Sequence, residues 1–414
     1  MPEYPLRPVI ELADNFDAAR RPVKASDRRP GPYPYYGAQG IVDRVENYLF
    51  DGEFVLVAED GENLRSRKEP IALMANGKFW VNNHAHILRG KAIADTRFLF
   101  YCINASDVSG YVTGSTIPKL SQGNLNRILL PCPPIGEQRA IASLLGALDS
   151  KIDLNRRMNE TLEALARTIF KDWFVDFGPS WAKMKGHAPY LAPELWALFP
   201  DRLDDEGRPE GWTEEPLLDH ARLISGGTPR TNEPAYWGGN VLWASARDVS
   251  QCSDVFLTKT ERTITERALG ESATRTIAKL ATVVVARGAT TGRFCMFGRG
   301  MAMNQTCYAL SSVHHRPFWL NCAFSYLVDA LVHAAHGSVF DTITTKTIES
   351  ARVTISSGSL LDHFEEVSKP LFNQILANVE QAEALVSTRD ILLPKLISGE
   401  ISLRDAEKIA EMAA

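Results

Sequence analysis

Apolar residues along this chain fall into two kinds of pattern that alternate. From Glu137 to about Phe174 there is no proline, and a seven-residue series runs Ile141, Leu148, Asn155, Leu162, Ile169, flanked by Leu144, Ile152, Met158 and Leu165. That spacing predicts one long amphipathic helix, a rod of roughly 55–60 Å at 1.5 Å per residue. A second series, Phe364, Leu371, Asn378, Leu385, Leu392, predicts another near the C-terminus. Pro370 is expected to kink that helix or mark its start, and Pro394 with Gly399 to end it. Elsewhere the pattern is short and β-like, as in Phe54-Val55-Leu56-Val57, Lys78-Phe79-Trp80-Val81 and Thr282-Val283-Val284-Val285. Such runs, punctuated by glycine, predict globular segments over 1–135 and 211–357. Between them, 178–210 carries five prolines and reads as a linker, although Trp181, Trp196 and Phe199 suggest packing.

The two long series stand 223 positions apart, member for member. The same offset relates Ile152 to Ile375, Glu160 to Glu383, and Gly114-Ser115 to Gly337-Ser338. It also relates Leu120, Leu125 and Leu130 to Ile343, Ile348 and Val353. Two amphipathic helices can always be aligned by period, but period alone does not place an asparagine third in both series. The chain therefore reads as an internal duplication. Its expected order is a first domain (1–135), a long helix (136–177), a linker (178–210), a second domain (211–357), and a C-terminal helix with tail (358–414). The fold class is α+β, with the two helices forming an antiparallel coiled coil related by a pseudo-twofold axis. Antiparallel pairing is expected to bring Asn155 and Asn378 together as a polar register mark in an apolar seam, the alternative being that both face solvent or a partner subunit.

Composition narrows the function. The 414 residues are 45% hydrophobic and 23% charged, which suits globular domains. No apolar run is long enough for a membrane helix, no secretory leader is expected, and the location expected is cytoplasmic. Six scattered cysteines show no metal-ligand spacing, so neither disulfides nor a metal is expected. The formal net charge is −5, but it divides as +1, −3, +2 and −5 over 1–135, 136–210, 211–357 and 358–414. The acid sits on the helical segments, leaving room for a basic face on each globular one.

The chain resembles the specificity subunits of type I restriction–modification systems. The stretch from Leu130 to Pro179, LPCPPIGEQRAIASLLGALDSKIDLNRRMNETLEALARTIFKDWFVDFGP, is similar to the family's central conserved region. Arg389 to Leu396, followed by Ser398-Gly399-Glu400-Ile401, resembles its C-terminal one, and Phe199-Pro200 with Gly211-Trp212 its passage into a second recognition domain. At the N-terminus only Tyr4-Pro5 stands where a Gly-Trp opening is usual. The resemblance implies a non-catalytic subunit whose two target-recognition domains each read half of a split double-stranded DNA sequence. It implies helices that space the domains and dock two modification subunits, with restriction subunits in the full complex. S-adenosylmethionine, ATP and magnesium would then belong to the partners, and no cofactor to this chain.

Candidate DNA contacts follow, each with a structural alternative. In the first domain they are Tyr35, Tyr36 and Gln39, within an aromatic, glycine-flanked stretch that also reads as a hairpin. Gln39 could read adenine through its amide. The basic loop Arg65, Arg67 and Lys68 suits phosphate or solvent, and Asn83, His84 and His86 are expected to place both histidines on one face. In the second domain the candidates are Thr228, Arg230 and Trp237, then Arg287, Thr290, Thr291 and Arg293 on a turn between strands, then Asn304 and Gln305. Glycines at Gly226 and Gly227 would let backbone N–H groups approach a phosphate. No adenine-methylase motif or phosphate-binding loop occurs, so no catalytic residue is assigned. A methylase or nuclease with altered motifs, and a coiled-coil scaffold for proteins or glycans, remain the alternatives.

Overall fold

The computed structural model describes residues 4–335 and 342–413, which divide into two compact units. One comprises Met1–Ile152 with Glu383–Ala414, the other Asp153–Ala382. Gly337-Ser338, the counterpart of Gly114-Ser115, lies outside the described residues.

The first unit opens with strand Leu6–Pro8, paired antiparallel with Leu129–Pro131. A one-turn helix, Val9–Leu12, leads into a six-stranded sheet. Its order is Ala13–Asn15, Ala85–Gly90, Phe50–Ala58, Ala72–Val81, Pro30–Gly37, Gly40–Val45. Helix Thr96–Ala105 packs on it through Phe98, Leu99 and Cys102, and Asp95 caps the helix by accepting from the amides of Arg97 and Phe98. A Ser121-capped turn, Gln122–Leu125, then precedes the closing strand.

The second unit repeats that order. Strand Thr213–Pro216 pairs with Arg352–Ile355, and a one-turn helix, Leu217–His220, leads into strand Ala221–Ser225. Five-stranded and four-stranded sheets follow, then helix Pro317–Ala335 and the Thr344-capped turn Thr345–Glu349. The offset seen in the sequence recurs in space: Leu120 and Ile343 are wholly buried, and their amides donate to Glu59 O and Ala286 O at 2.8 and 2.9 Å. The repeat is therefore structural, with sheets that have diverged around a common frame.

The long helices are Ile135–Phe174 and Gly358–Ser398. Within the first unit Ile141 and Leu148 are buried in one cluster with Leu385 and Leu392, and Arg389 donates to Asp149 at 2.7 Å. Within the second, Phe170, Trp173 and Phe174 meet Phe364 edge to face. Residue numbers rise on one helix as they fall on the other, so the pairing is antiparallel. Met158 and Leu165, expected beside the seam, are exposed instead. A 3.6-residue turn carries them away from a seven-residue line.

Pro370 neither starts nor ends its helix, which runs through it and through Pro394. Both prolines are on the exposed face, while Phe364, Phe372 and Ile375 bury the other. Tertiary burial outweighs the lost backbone hydrogen bond. Gly399 at φ +75° follows the last turn. The segment 178–210 is partly folded, with helices Gly178–Met184 and Pro193–Ala197 and a buried Phe199 edge-on to Trp173 at 5.7 Å.

Candidate nucleic-acid interface

In the second unit, strand register decides which loops meet. Ser225, at the end of Ala221–Ser225, lies opposite Tyr308, and Val285, at the end of Thr282–Val285, opposite Cys307. Val284 lies opposite Phe294. The turns 226–230, 286–293 and 304–306 therefore leave the same end of the strands of the five-stranded sheet. They bring together Thr228, Arg230, Arg287, Thr290, Thr291, Arg293, Asn304 and Gln305, which are far apart in sequence.

The turns are built, not slack. In 286–293 the amide of Val285 donates to Arg293 O at 2.8 Å, that of Gly292 to Val285 O at 2.9 Å, and Thr291 Oγ1 to Gly288 O at 2.7 Å. Gly288 and Gly292 sit at φ +103° and +90°, a region side chains rarely enter. Arg287, Thr290 and Arg293 are exposed, and Thr291 is half-buried. Thr228 donates to the side chain of Gln305, while Asn304 Oδ1 accepts from Thr306 N and Oγ1 at 3.2 and 2.8 Å. A Cβ on Gly226 would fall 1.9 Å from Asn304 O, and one on Gly227 2.7 Å from the carbonyl of Ala273. These glycines let the loop pack on backbone, a nearer cause than phosphate approach.

Arg230, Arg287 and Arg293 have no carboxylate within ion-pair distance among the described residues, although the chain is acidic overall. Trp237 is half-buried and its Nε1 donates to Arg230 O at 3.1 Å. Arg262, which sequence reasoning missed, lies across the Trp237 ring with its guanidinium carbon 3.4 Å from the centroid. Only strand pairing brings these two residues together, so no local pattern marks them.

In the first unit the residues 33–40 form the hairpin, with Gly37 opposite Gly40 and Gln39 exposed at its tip. Tyr35 cannot be a surface contact: it is wholly buried, and its hydroxyl accepts from Val23 N at 3.0 Å. Tyr36 is half-buried against Phe79, and burial pushes its phenol up. His86 is also corrected. It is buried, with Nδ1 2.5 Å from Asp17 Oδ2 and Nε2 2.7 Å from Leu120 O. The histidines do not share a face, because His84 sits in the turn before the strand that carries His86. His84 is exposed and meets Asp60 at 2.7 Å, beside exposed Asn83.

Burial pushes the Asp17 carboxyl up, but the hydrogen bond and charge of His86, with Arg20 adding, hold it below the ordinary range. The guanidinium groups of Arg65 and Arg67 donate to the carbonyls of Gly114 and Asn104, so the basic loop is tied down at its base. Lys68 is exposed beside them.

Within the second unit, Asn155, Asn159 and Asn378 are buried in the helix seam. Asn155 Nδ2 donates to Gln381 Oε1 at 2.9 Å and to the backbone oxygen of Asn378 at 3.4 Å. The Asn378 side chain donates instead to Asn159 Oδ1 at 2.9 Å. All six cysteines are free thiols. Among the described residues no three potential metal ligands cluster, and no helix is long and apolar enough to cross a membrane.

Residues 6–164 match the family described as the type I restriction modification DNA specificity domain. The putative type I restriction enzyme specificity subunit S.HindORF215P of Haemophilus influenzae is 40% identical over 146 residues, 35% of this chain and 37% of that protein. The chain thus aligns with little more than a third of that relative. The MjaIX specificity subunit of Methanocaldococcus jannaschii is 24% identical over 325 residues, 75% of this chain and 70% of its own. The HindI specificity subunit of Haemophilus influenzae is 24% identical over 73% of this chain and 77% of its own. The crystal structure of the type I system S subunit from M. genitalium shares the fold, with 16% identity, a TM-score of 0.63, and coverage of 95% and 96% of the two chains. Residues 6–164 thus match the type I restriction modification DNA specificity domain, and the chain as a whole is similar to type I specificity subunits at low identity and shares the fold of a solved S subunit.

Proposed function

We propose that this chain reads a split DNA sequence for a type I complex, one half through residues 1–135 and the other through 211–357. The observation that carries the reading is the loop end of the five-stranded sheet, where Arg230, Arg287 and Arg293 meet no carboxylate among the described residues of an acidic chain. Guanidinium groups carried by two separate turns at one end of the sheet suit phosphate oxygens and guanine O6/N7. The segments 136–177 and 358–414 dock two modification subunits, which bring S-adenosylmethionine; restriction subunits bring ATP and magnesium. The complex works in the cytoplasm.

Two experiments test this. Exchanging 211–357 for the matching segment of a relative should change one half of the methylated sequence; a change in both halves refutes the modular reading. Arg287→Ala or Arg293→Ala should weaken binding by about 1–3 kcal/mol where the arginine reads a base, with preference lost at that position. A phosphate contact instead flattens the salt dependence and leaves preference intact. Unchanged affinity in both folded variants removes the turn from the interface.

A further inference from the structure

We propose that Arg262 is a DNA contact of the second unit and that Trp237 is its positioning residue; this rests on the DNA-reading function above. Arg262 opens strand Arg262–Ile264 and lies opposite Trp243 in the register. Its guanidinium carbon is 3.4 Å from the centroid of Trp237 and 5.8 Å from that of Trp243. The two indoles meet edge to face at 5.2 Å. Each is tied to the adjoining loop, Trp243 Nε1 donating to Gly227 O at 3.0 Å and Trp237 Nε1 to Arg230 O at 3.1 Å. The indoles under the arginine are thus tied to the loop 227–230.

The group is also uncommitted. Arg262 is exposed, and no carboxylate pairs with it among the described residues. The neighbouring Glu261 faces Arg247 at 3.7 Å. A guanidinium lying on an indole keeps the N–H groups of its edge free, and stacking removes much of the rotamer entropy that binding would otherwise cost. A planar fork held this way fits two acceptors in one plane, either guanine O6 and N7 or two phosphate oxygens. Trp237 has one face covered and its N–H engaged, so it acts through the arginine.

The test uses the full-length chain in complex with its modification subunits and a randomised pool of duplex DNA. Wild type should select a split sequence. Arg262→Ala should weaken binding to that sequence by about fivefold or more. If it reads guanine, preference at one position of one half disappears. If it holds phosphate, the sequence is kept and the log–log salt slope falls by about 0.9. Arg262→Lys should not restore the loss, because an ammonium lacks the fork. Trp237→Leu should reproduce most of the loss, yet add less than about twofold when Arg262 is already alanine, which a purely structural indole would not do. Thermal melts confirm folding, and Arg262→Gln substitutes if the alanine variant is unstable. Wild-type affinity, salt slope and sequence in a folded Arg262 variant overturn the proposal. Failure of the wild-type complex to select any sequence overturns the DNA-reading function itself.

Discussion

Replacing Asn378 by alanine separates two arrangements that its sequence position alone leaves equivalent. The side chain donates to Asn159 Oδ1 at 2.9 Å and accepts from Gln374 Nε2 at 2.8 Å. Gln374 is exposed and recovers its bond from water, whereas Asn159 is buried and its oxygen is left without that donor. An orphaned buried acceptor costs about 1–3 kcal/mol, so Asn378→Ala should lower stability by about 2 kcal/mol. Asn155 is anchored differently, on Gln381 and on the backbone oxygen of Asn378, which alanine retains. The costs of Asn155→Ala and Asn378→Ala should therefore add to within about 0.5 kcal/mol, while Asn159→Ala and Asn378→Ala share one bond and fall short of additivity by about 1 kcal/mol. Urea denaturation followed by tryptophan fluorescence reads both cycles, since Trp173, Trp212 and Trp319 lie in the core of the same unit. Coupling between residues 155 and 378, with none between 159 and 378, would refute this seam.

Three further outcomes are expected. His86→Leu removes the hydrogen bond to Asp17, whose carboxylate keeps Arg20 at 3.5 Å and the Ile87 amide at 3.0 Å, and should cost about 1–3 kcal/mol, measured by denaturant melts; a loss below about 0.5 kcal/mol contradicts the contact. In the wild type, Asp17 is held below its ordinary value of 3.8, so its contribution is present above about pH 4 and vanishes as pH falls through the lower folded value, which an acid titration of stability should show. Glu365 behaves oppositely: burial raises its carboxyl to about 7, although it accepts from the amides of Phe318 and Trp319. Its contribution is full below the ordinary 4.5 and is lost as pH rises through about 7, and Glu365→Gln should abolish that slope; a slope unchanged in the variant assigns it to another group. Finally, inserting four residues, about one helical turn, after Asn155 should change the recognised spacer or abolish binding, and an unchanged spacer in the methylated sequence shows that these helices do not set it.

Periodicity made the frame legible. Apolar residues repeating every three or four positions specify a helix through backbone geometry alone, and an exact 223-residue offset with an asparagine third in each series carried the duplication. The turn 286–293 was visible for the same local reason, since its glycines and hydroxyls form its hydrogen bonds with near neighbours. What sequence could not decide was the destination of each side chain. Tyr35 and His86 have the chemistry of DNA contacts but face inward, because strand direction and the partners Val23, Asp17 and Leu120 are set by distant chain segments. Pro370 reads as a helix breaker until the burial of Phe364 and Phe372 is known. Arg262 looks like any exposed arginine until pairing with Trp243 lays it over Trp237. Local geometry is written in neighbouring residues, whereas burial, pairing and the company of a charge depend on contacts that only the folded chain creates.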